Sequence, residues 1–261
     1  NEPMGYEGAE GGNTPTQNLV DAYEMKDGTP FDWNNPTHVA NMYYDASNKE
    51  TRDPRLYKNV LTNGSIWQKQ KVETFEGGKN KILDGSTKTG YYLRKYMNPS
   101  VSLDPDKPNK LYHHYVLFRY AEILLNYAEA MNEWKGPDAT AEGCPLTARA
   151  ALNQVRDCAD MKHVTENGAD FTAKVRNERR IELAFEGHRF YDIRRWRIAG
   201  LDEVRNLYGV KITKSGTSLS YEKVLLQQMY WNDKMYLFPY PQNEIYMNPD
   251  LGQNPGWSNG N

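Results

Sequence analysis

The chain has 261 residues, with 32 Lys plus Arg against 34 Asp plus Glu and a formal net charge of −2; its pI is about 6.3 and its mean hydropathy −0.86. No basic surplus exists to release counterions from phosphate, so a general nucleic-acid binder is excluded. No apolar run approaches the roughly 18 residues of a membrane span, and the length allows one large domain or two small ones.

In chain order, 1–13 reads as a polar, Gly-rich loop with Tyr6 its one large apolar group. Thr14-Pro15-Thr16 opens a short helix with Leu19, Val20 and Tyr23 on its apolar side, and Asp27-Gly28-Thr29-Pro30 ends it. Residues 31–50 form an irregular stretch in which Phe31, Trp33, Tyr43 and Tyr44 stand among Asn and Asp. A β-like run over 56–61, a turn at Asn63-Gly64 and a second run over 66–72 suggest a hairpin. Residues 74–90 are expected as a surface loop and 91–96 as a short strand. The spacing of Leu117, Ala121, Leu124, Ala128 and Met131 predicts a helix over 115–134. A second follows over 147–158, with Ala148, Leu152 and Val155 inward. The two can pack as a tetratricopeptide-like antiparallel hairpin. Cys144 and Cys158 would then stand about 21 Å apart, beyond disulfide reach. After a third helix from Phe171, short strands are expected over 207–212 and 235–238, and 239–254 as a Pro/Asn-rich wrap.

The stretch 175–196, VRNERRIELAFEGHRFYDIRRW, organises the rest. Helix formers fill 176–186, Gly187 suits a left-handed stop, and 188–196 can start a new helix, giving a sharp corner. Glu178, Glu182 and Glu186 lie four residues apart, a spacing that could serve a metal or acid/base site as well as architecture. Arginines at i±3 (Arg179 to Glu182, Arg189 to Glu186, Arg189 and Arg195 to Asp192) favour a structural network that fixes the angle between the helices.

This stretch closely resembles the signature of the SusD/RagB family, the surface glycan-binding lipoproteins of Bacteroidetes. Three further segments resemble that family in the same order: DPRLYKNVLTNGSIW from Asp53, RYAEILLNYAEAMNE from Arg119 and LFPYPQNEIYMNPDLGQNPGW from Leu237. The resemblance implies a mainly α fold, with tetratricopeptide-like helical hairpins and a loop-rich region containing a few short β-strands. Within it, 1–110 would be the loop-rich ligand-facing part, 111–200 the helical hairpin and signature helices, and 201–261 a C-terminal wrap. It further implies the C-terminal portion of a longer outer-membrane protein, lipid-anchored through an absent N-terminal part and facing outward. Such a protein captures a glycan and delivers it to a SusC-like TonB-dependent transporter. No enzymatic activity, cofactor or metal is expected.

No chemical motif competes strongly. Gly85 to Gly90 imitates a phosphate loop, but Tyr91-Tyr92 replace the required Lys-Ser/Thr. The five histidines form no HExxH. Asn63-Gly64-Ser65 is a glycosylation sequon that a hairpin turn explains better. A glycoside hydrolase acting on the same glycans is the alternative function and a ligand-free helical scaffold a third, but nothing singles out a carboxylate pair. The sharper candidates are rings in loops. A pyranose can lay its C–H face on an indole or phenol while Asn and Asp bond its hydroxyls. Trp33, Tyr43 and Tyr44, among Asn34, Asn35, Asn41 and Asp45, offer that combination. Tyr6 lies where relatives in the family place ligand-contacting aromatics. For each ring, anchoring its loop to the helices is the competing reading.

Overall fold

The structure is a computed structural model that describes residues 3, 11–102, 104–248 and 250–258. Helices α1 (Gln17–Ala22), α2 (Pro36–Ala40) and α3 (Pro54–Asn59) are short. Two caps explain α2 and α3, neither of which was expected. Asn35 accepts from the backbone N–H groups of Thr37 and His38, and Asp53 from that of Arg55, each followed by Pro at the first helical position. This cap overrides the β-like composition of 56–61, of which only β1 (Val60–Leu61) is strand.

The expected hairpin about Asn63-Gly64 is also rearranged. β1 pairs antiparallel with β4 (Tyr92–Leu93), while β2 (Ile66–Trp67) and β3 (Gln70–Lys71) pair with each other. Their connecting residues, Gln68 and Lys69, both have positive φ, as a tight hairpin with the right twist requires.

α4 (Tyr120–Lys135), α5 (Ala148–Cys158) and α6 (Gly168–Glu182) are the main helices. Leu124, Leu125, Ala128 and Met131 of α4 bury against Ala151, Leu152 and Val155 of α5 and Phe171 and Val175 of α6. The alanines admit close approach, and Thr147 caps α5 through its side chain. α4 starts five residues later than its periodicity suggests, leaving Leu117 74% exposed. The backbone at Arg119 is extended, and its guanidinium bonds to Glu182 and Glu186. Cys144 and Cys158 are free.

α6 ends at Glu182, and a turn through Gly187, at φ +83°, leads to α7 (His188–Arg195). α8 (Asp202–Arg205) precedes a long antiparallel hairpin of β5 (Asn206–Ser215) and β6 (Ser218–Gln228). β6 escapes the sequence pattern because its sequence SLSYEKVLLQQ is largely solvent-facing. The expected strand at 235–238 is instead a 3-10 turn at Asp233–Tyr236, and α9 (Gln242–Met247) follows. Among the described residues no helix is long and apolar enough to cross a membrane.

A second core joins the loops to the helices through Val20, Tyr23, Met42, Tyr43, Leu56, Tyr57, Tyr91, Ile181, Val210 and Ile212. Its tyrosines keep their hydroxyls bonded inside the core. Tyr43 and Tyr91 share a hydrogen bond of 2.6 Å, Tyr91 donates to Gln17 Oε1 at 2.5 Å, and Asn59 donates to the Tyr23 hydroxyl at 2.8 Å. Burial pushes all three phenols well above their ordinary pKa.

Gly90 and Gly187 share nearly the same φ, +85° and +83°, but not the same surroundings. A Cβ at Gly90 would meet the Val210 carbonyl oxygen at 2.6 Å, whereas at Gly187 nothing lies within 4 Å. Gly187→Ala is therefore expected to lose only the left-handed backbone penalty, about 1–2 kcal/mol. Gly90→Ala should lose more, because β5 must also move. Urea denaturation of the two variants checks the order.

Candidate carbohydrate-binding surface

The loop that carries the candidate rings is laid over the second core. Arg52 is fully buried beneath it and donates to the carbonyls of Val20 at 2.8 Å, Tyr23 at 2.6 Å and Met42 at 3.2 Å. Its guanidinium also lies 4.1 Å from the centre of the Phe31 ring. Phe31 in turn meets Trp33 edge-on at 5.6 Å and stacks with His38 at 5.9 Å. Trp33 is half-buried, its indole N–H donating to Asp21 Oδ1 at 3.0 Å. One side of the indole is thus fixed in orientation, as a stacking platform requires.

The other expected site residues divide. Tyr44 is half-buried, its ring 5.4 Å from Tyr57 and its hydroxyl 3.2 Å from Ser65 Oγ. Tyr43 is 1% exposed and belongs to the core, with its ring between Tyr91 and Tyr221, so no sugar can stack on it. Adjacent side chains of extended backbone point to opposite sides, and the backbone is extended at the Tyr44–Glu50 bridge. Tyr6 lies outside the described residues. Trp33 and Tyr44 pack over the same core, but among the described residues no ring contact joins them. Two polar neighbours have local work. Asn35 caps α2, and Asp45 accepts from the N–H groups of Ser47 and Lys49. Exposed rings that the sequence reading passed over stand at Tyr112, Tyr115, Phe118 and Tyr120, before and at the start of α4.

The three glutamates of the corner are fully engaged by cations from distant parts of the chain. Arg55 holds Asp53 with two bonds, at 3.0 and 2.7 Å, and reaches Glu178 and, at 2.8 Å, Glu182. Arg156 joins Glu178 to Glu24, each at 2.8 Å. Arg119 clamps Glu182 at 2.5 Å and Glu186 at 2.8 Å, and Lys95 adds 2.5 Å to Glu186. The expected local pairs differ. Arg179 bonds Asp192 rather than Glu182, Arg195 does meet Asp192, and Arg189 pairs with neither Glu186 nor Asp192. Burial opposes ionisation of Glu182 and Glu186, but hydrogen bonds from Arg55, Arg119 and Lys95 outweigh it and hold both below the usual glutamate pKa. A general acid needs the reverse shift. Glu182 and Glu186 do line a cavity of about 260 Å³, but they share it with Arg55, Arg119 and Lys95. Among the described residues no three His, Cys, Asp or Glu side chains are grouped as a metal would need.

The model of the SusD family matches residues 2–257. The chain belongs to the SusD family. SusD-like protein P25 of Formosa agariphila is 28% identical over 180 residues, covering 63% of this chain and 28% of that protein. SusD-like protein P2 of the same organism is 31% identical over 150 residues, covering 55% and 26%. Among solved structures, a SusD-like protein of Bacteroides fragilis is 31% identical with a TM-score of 0.69, over 94% of this chain and 47% of that one. A SusD-like carbohydrate binding protein of the same species is 29% identical with a TM-score of 0.64, over 91% and 48%. The chain therefore spans less than half the length of these relatives, with a helical fold and some short strands like theirs.

Within the SusD family stretch, Glu178 is the hub, 1% exposed and bridging Arg55 and Arg156. Glu178→Gln leaves two buried guanidiniums short of charge and is expected to cost about 3–5 kcal/mol. Exposed Glu142→Gln should stay within about 0.5 kcal/mol. Urea denaturation measures both. Because Glu182 and Glu186 bind protons less readily folded than unfolded, their contribution is complete above the ordinary glutamate pKa of 4.5 and is lost as pH falls below it. The urea midpoint should therefore drop between about pH 5 and pH 3, and drop less in the Glu182→Gln, Glu186→Gln double variant.

Proposed function

We propose that this chain is part of a cell-surface glycan-binding protein that captures polysaccharide or oligosaccharide without cleaving it. The observation that carries this reading is the similarity, over 91% of the chain, to a solved SusD-like carbohydrate binding protein. The half-buried indole of Trp33, braced by Asp21 and Phe31, supports it, since such a plane accepts the C–H face of a sugar at little ordering cost. Tyr44 is the second contact and Tyr6 a third. The acidic corner supports binding over hydrolysis, because its carboxylates are neutralised by arginines.

The complete protein, in this reading, is tethered by lipid to the outer membrane and hands its glycan to a SusC-like TonB-dependent transporter. α4 and α5 form one tetratricopeptide-like hairpin of a larger stack. The exposed apolar side chains Leu117, Tyr120 and Ile123 support such stacking, since a helical hairpin cannot cover its own outer face.

Affinity electrophoresis through gels containing individual polysaccharides tests the function. The wild-type chain should be retarded by at least one glycan. Trp33→Ala and Tyr44→Ala should each weaken that retardation by roughly threefold to tenfold, the worth of one aromatic contact. Retardation that both substitutions leave unchanged would overturn the assignment of these rings, and release of reducing sugar would overturn the non-enzymatic reading.

A further inference from the structure

The arginines of the SusD stretch fall into two groups. Arg179 and Arg195 meet a carboxylate, as Arg55, Arg119 and Arg156 do from outside the stretch. Arg176, Arg180, Arg189 and Arg194 meet none within salt-bridge distance among the described residues, and Arg194 instead donates to the Phe190 carbonyl at 2.8 Å. Arg176, Arg180 and Arg189 line one groove of about 510 Å³, between the outer face of α6 and the segment from Arg189 to Ile198. Ala169, Thr172 and Ala173 keep one end of the groove open, because their side chains are small. Trp196 forms part of the opposite wall.

Each guanidinium has donor capacity left over. Arg180 spends one N–H on the Asn18 carbonyl, at 2.7 Å. Arg176 lies 5.1 Å from the Trp196 ring centre, and its buried Nε has no hydrogen-bond partner. Burial and the nearby Arg189 together push the Arg180 pKa down to about 10. Asp21 and Asp192 act on Arg180 and Arg189 only through space, and both are already engaged. Asp21 accepts from Gln17, Trp33 and Lys223, and Asp192 from Arg179 and Arg195. Glu203, on the rim of the adjoining apolar cleft, is exposed and bridges none of the three. Arg180 and Arg189 also line that cleft, so they sit where the two hollows meet.

Like charges held together in one groove, with donors to spare and no carboxylate bonded to them, are the arrangement that takes up an oxyanion. Planar guanidiniums match sulfate and carboxylate oxygens with paired hydrogen bonds. We propose that Arg176, Arg180 and Arg189 form a binding site for a sulfate-type oxyanion, separate from the ring surface at Trp33. The source is either a free ion or an ester on a saccharide.

Isothermal titration of sodium sulfate into the chain, at ionic strength held constant with chloride, tests the site without any glycan, so its outcome is independent of the Trp33 reading. Saturable binding is expected, weakened at least about tenfold by Arg189→Gln, the loss of one charge-assisted contact. The exposed Lys135→Gln variant should bind as wild type. The Arg189 side chain makes no hydrogen bond among the described residues, so this variant should melt like the wild type, even if Arg180→Gln, which loses the Asn18 contact, folds poorly. A sulfated disaccharide that binds more tightly than sulfate, while its unsulfated counterpart does not bind, supports a saccharide source. Equal affinity for sulfate and the sulfated disaccharide supports the free ion. No saturable binding to wild type up to about 20 mM sulfate, or equal binding by wild type and Arg189→Gln, overturns the proposal.

Discussion

The buried charge cluster around Glu178 is the constraint from which the rest of the arrangement follows. One carboxylate on α6 is shared by Arg55, at the start of α3, and Arg156, near the end of α5. Arg156 continues to Glu24, just beyond α1, and Arg55 continues to Asp53, the cap of its own helix. Four separate stretches thereby meet at one point. Taking such charges out of water is expensive, and a well-packed apolar cluster would be at least as stable. An apolar cluster, however, tolerates sliding. Paired guanidiniums and carboxylates with bonds in fixed directions do not, and the loop-rich first part of the chain has few regular elements to hold it in register against the helices.

The helical part was legible because its signals are local. Apolar side chains at helical spacing located α4, α5 and α6, and a glycine with no Cβ located the corner at Gly187. The carboxylates of the network were legible too, as a row at i, i+4 and i+8. Their partners were not, because Arg55 stands 123 residues from Glu178, and no local pattern reports a contact of that span. Nearby arginines were the natural candidates, yet Arg179 turns to Asp192 on α7 instead. Tertiary geometry selected among several cations of equal local merit. The misread strand at 56–61 has a different cause. Branched and aromatic residues suggested β-structure, and a single cap with its proline outweighed them.

The rings were the least legible part. A loop rich in Trp, Tyr, Asn and Asp carries the right groups for a sugar, but composition is silent on which of two neighbouring rings faces in. Tyr43 and Tyr44 differ in nothing local, and one became a core residue with its hydroxyl on Tyr91 while the other stayed at the surface. Buried Arg52 explains part of that outcome. Its guanidinium holds the carbonyl of Met42, next to Tyr43, and so draws this end of the loop inward, while Phe31 is drawn over its face.

Charge pairing also separates two kinds of arginine within one short stretch, and this separation is where architecture gives way to recognition. Those that face carboxylates are committed: their donors are used, and the charge of each is cancelled at close range. Arg176, Arg180 and Arg189 differ in having spare N–H groups beside a groove lined by no carboxylate. Helix geometry enforces the division. Arg176 and Arg180 are one turn apart on the face of α6 that looks away from Glu178, so a row of charges wrapped around one helix must leave some of them on the side where no partner packs. The same stretch can therefore lock the scaffold on one face of α6 and present concentrated positive charge on the other.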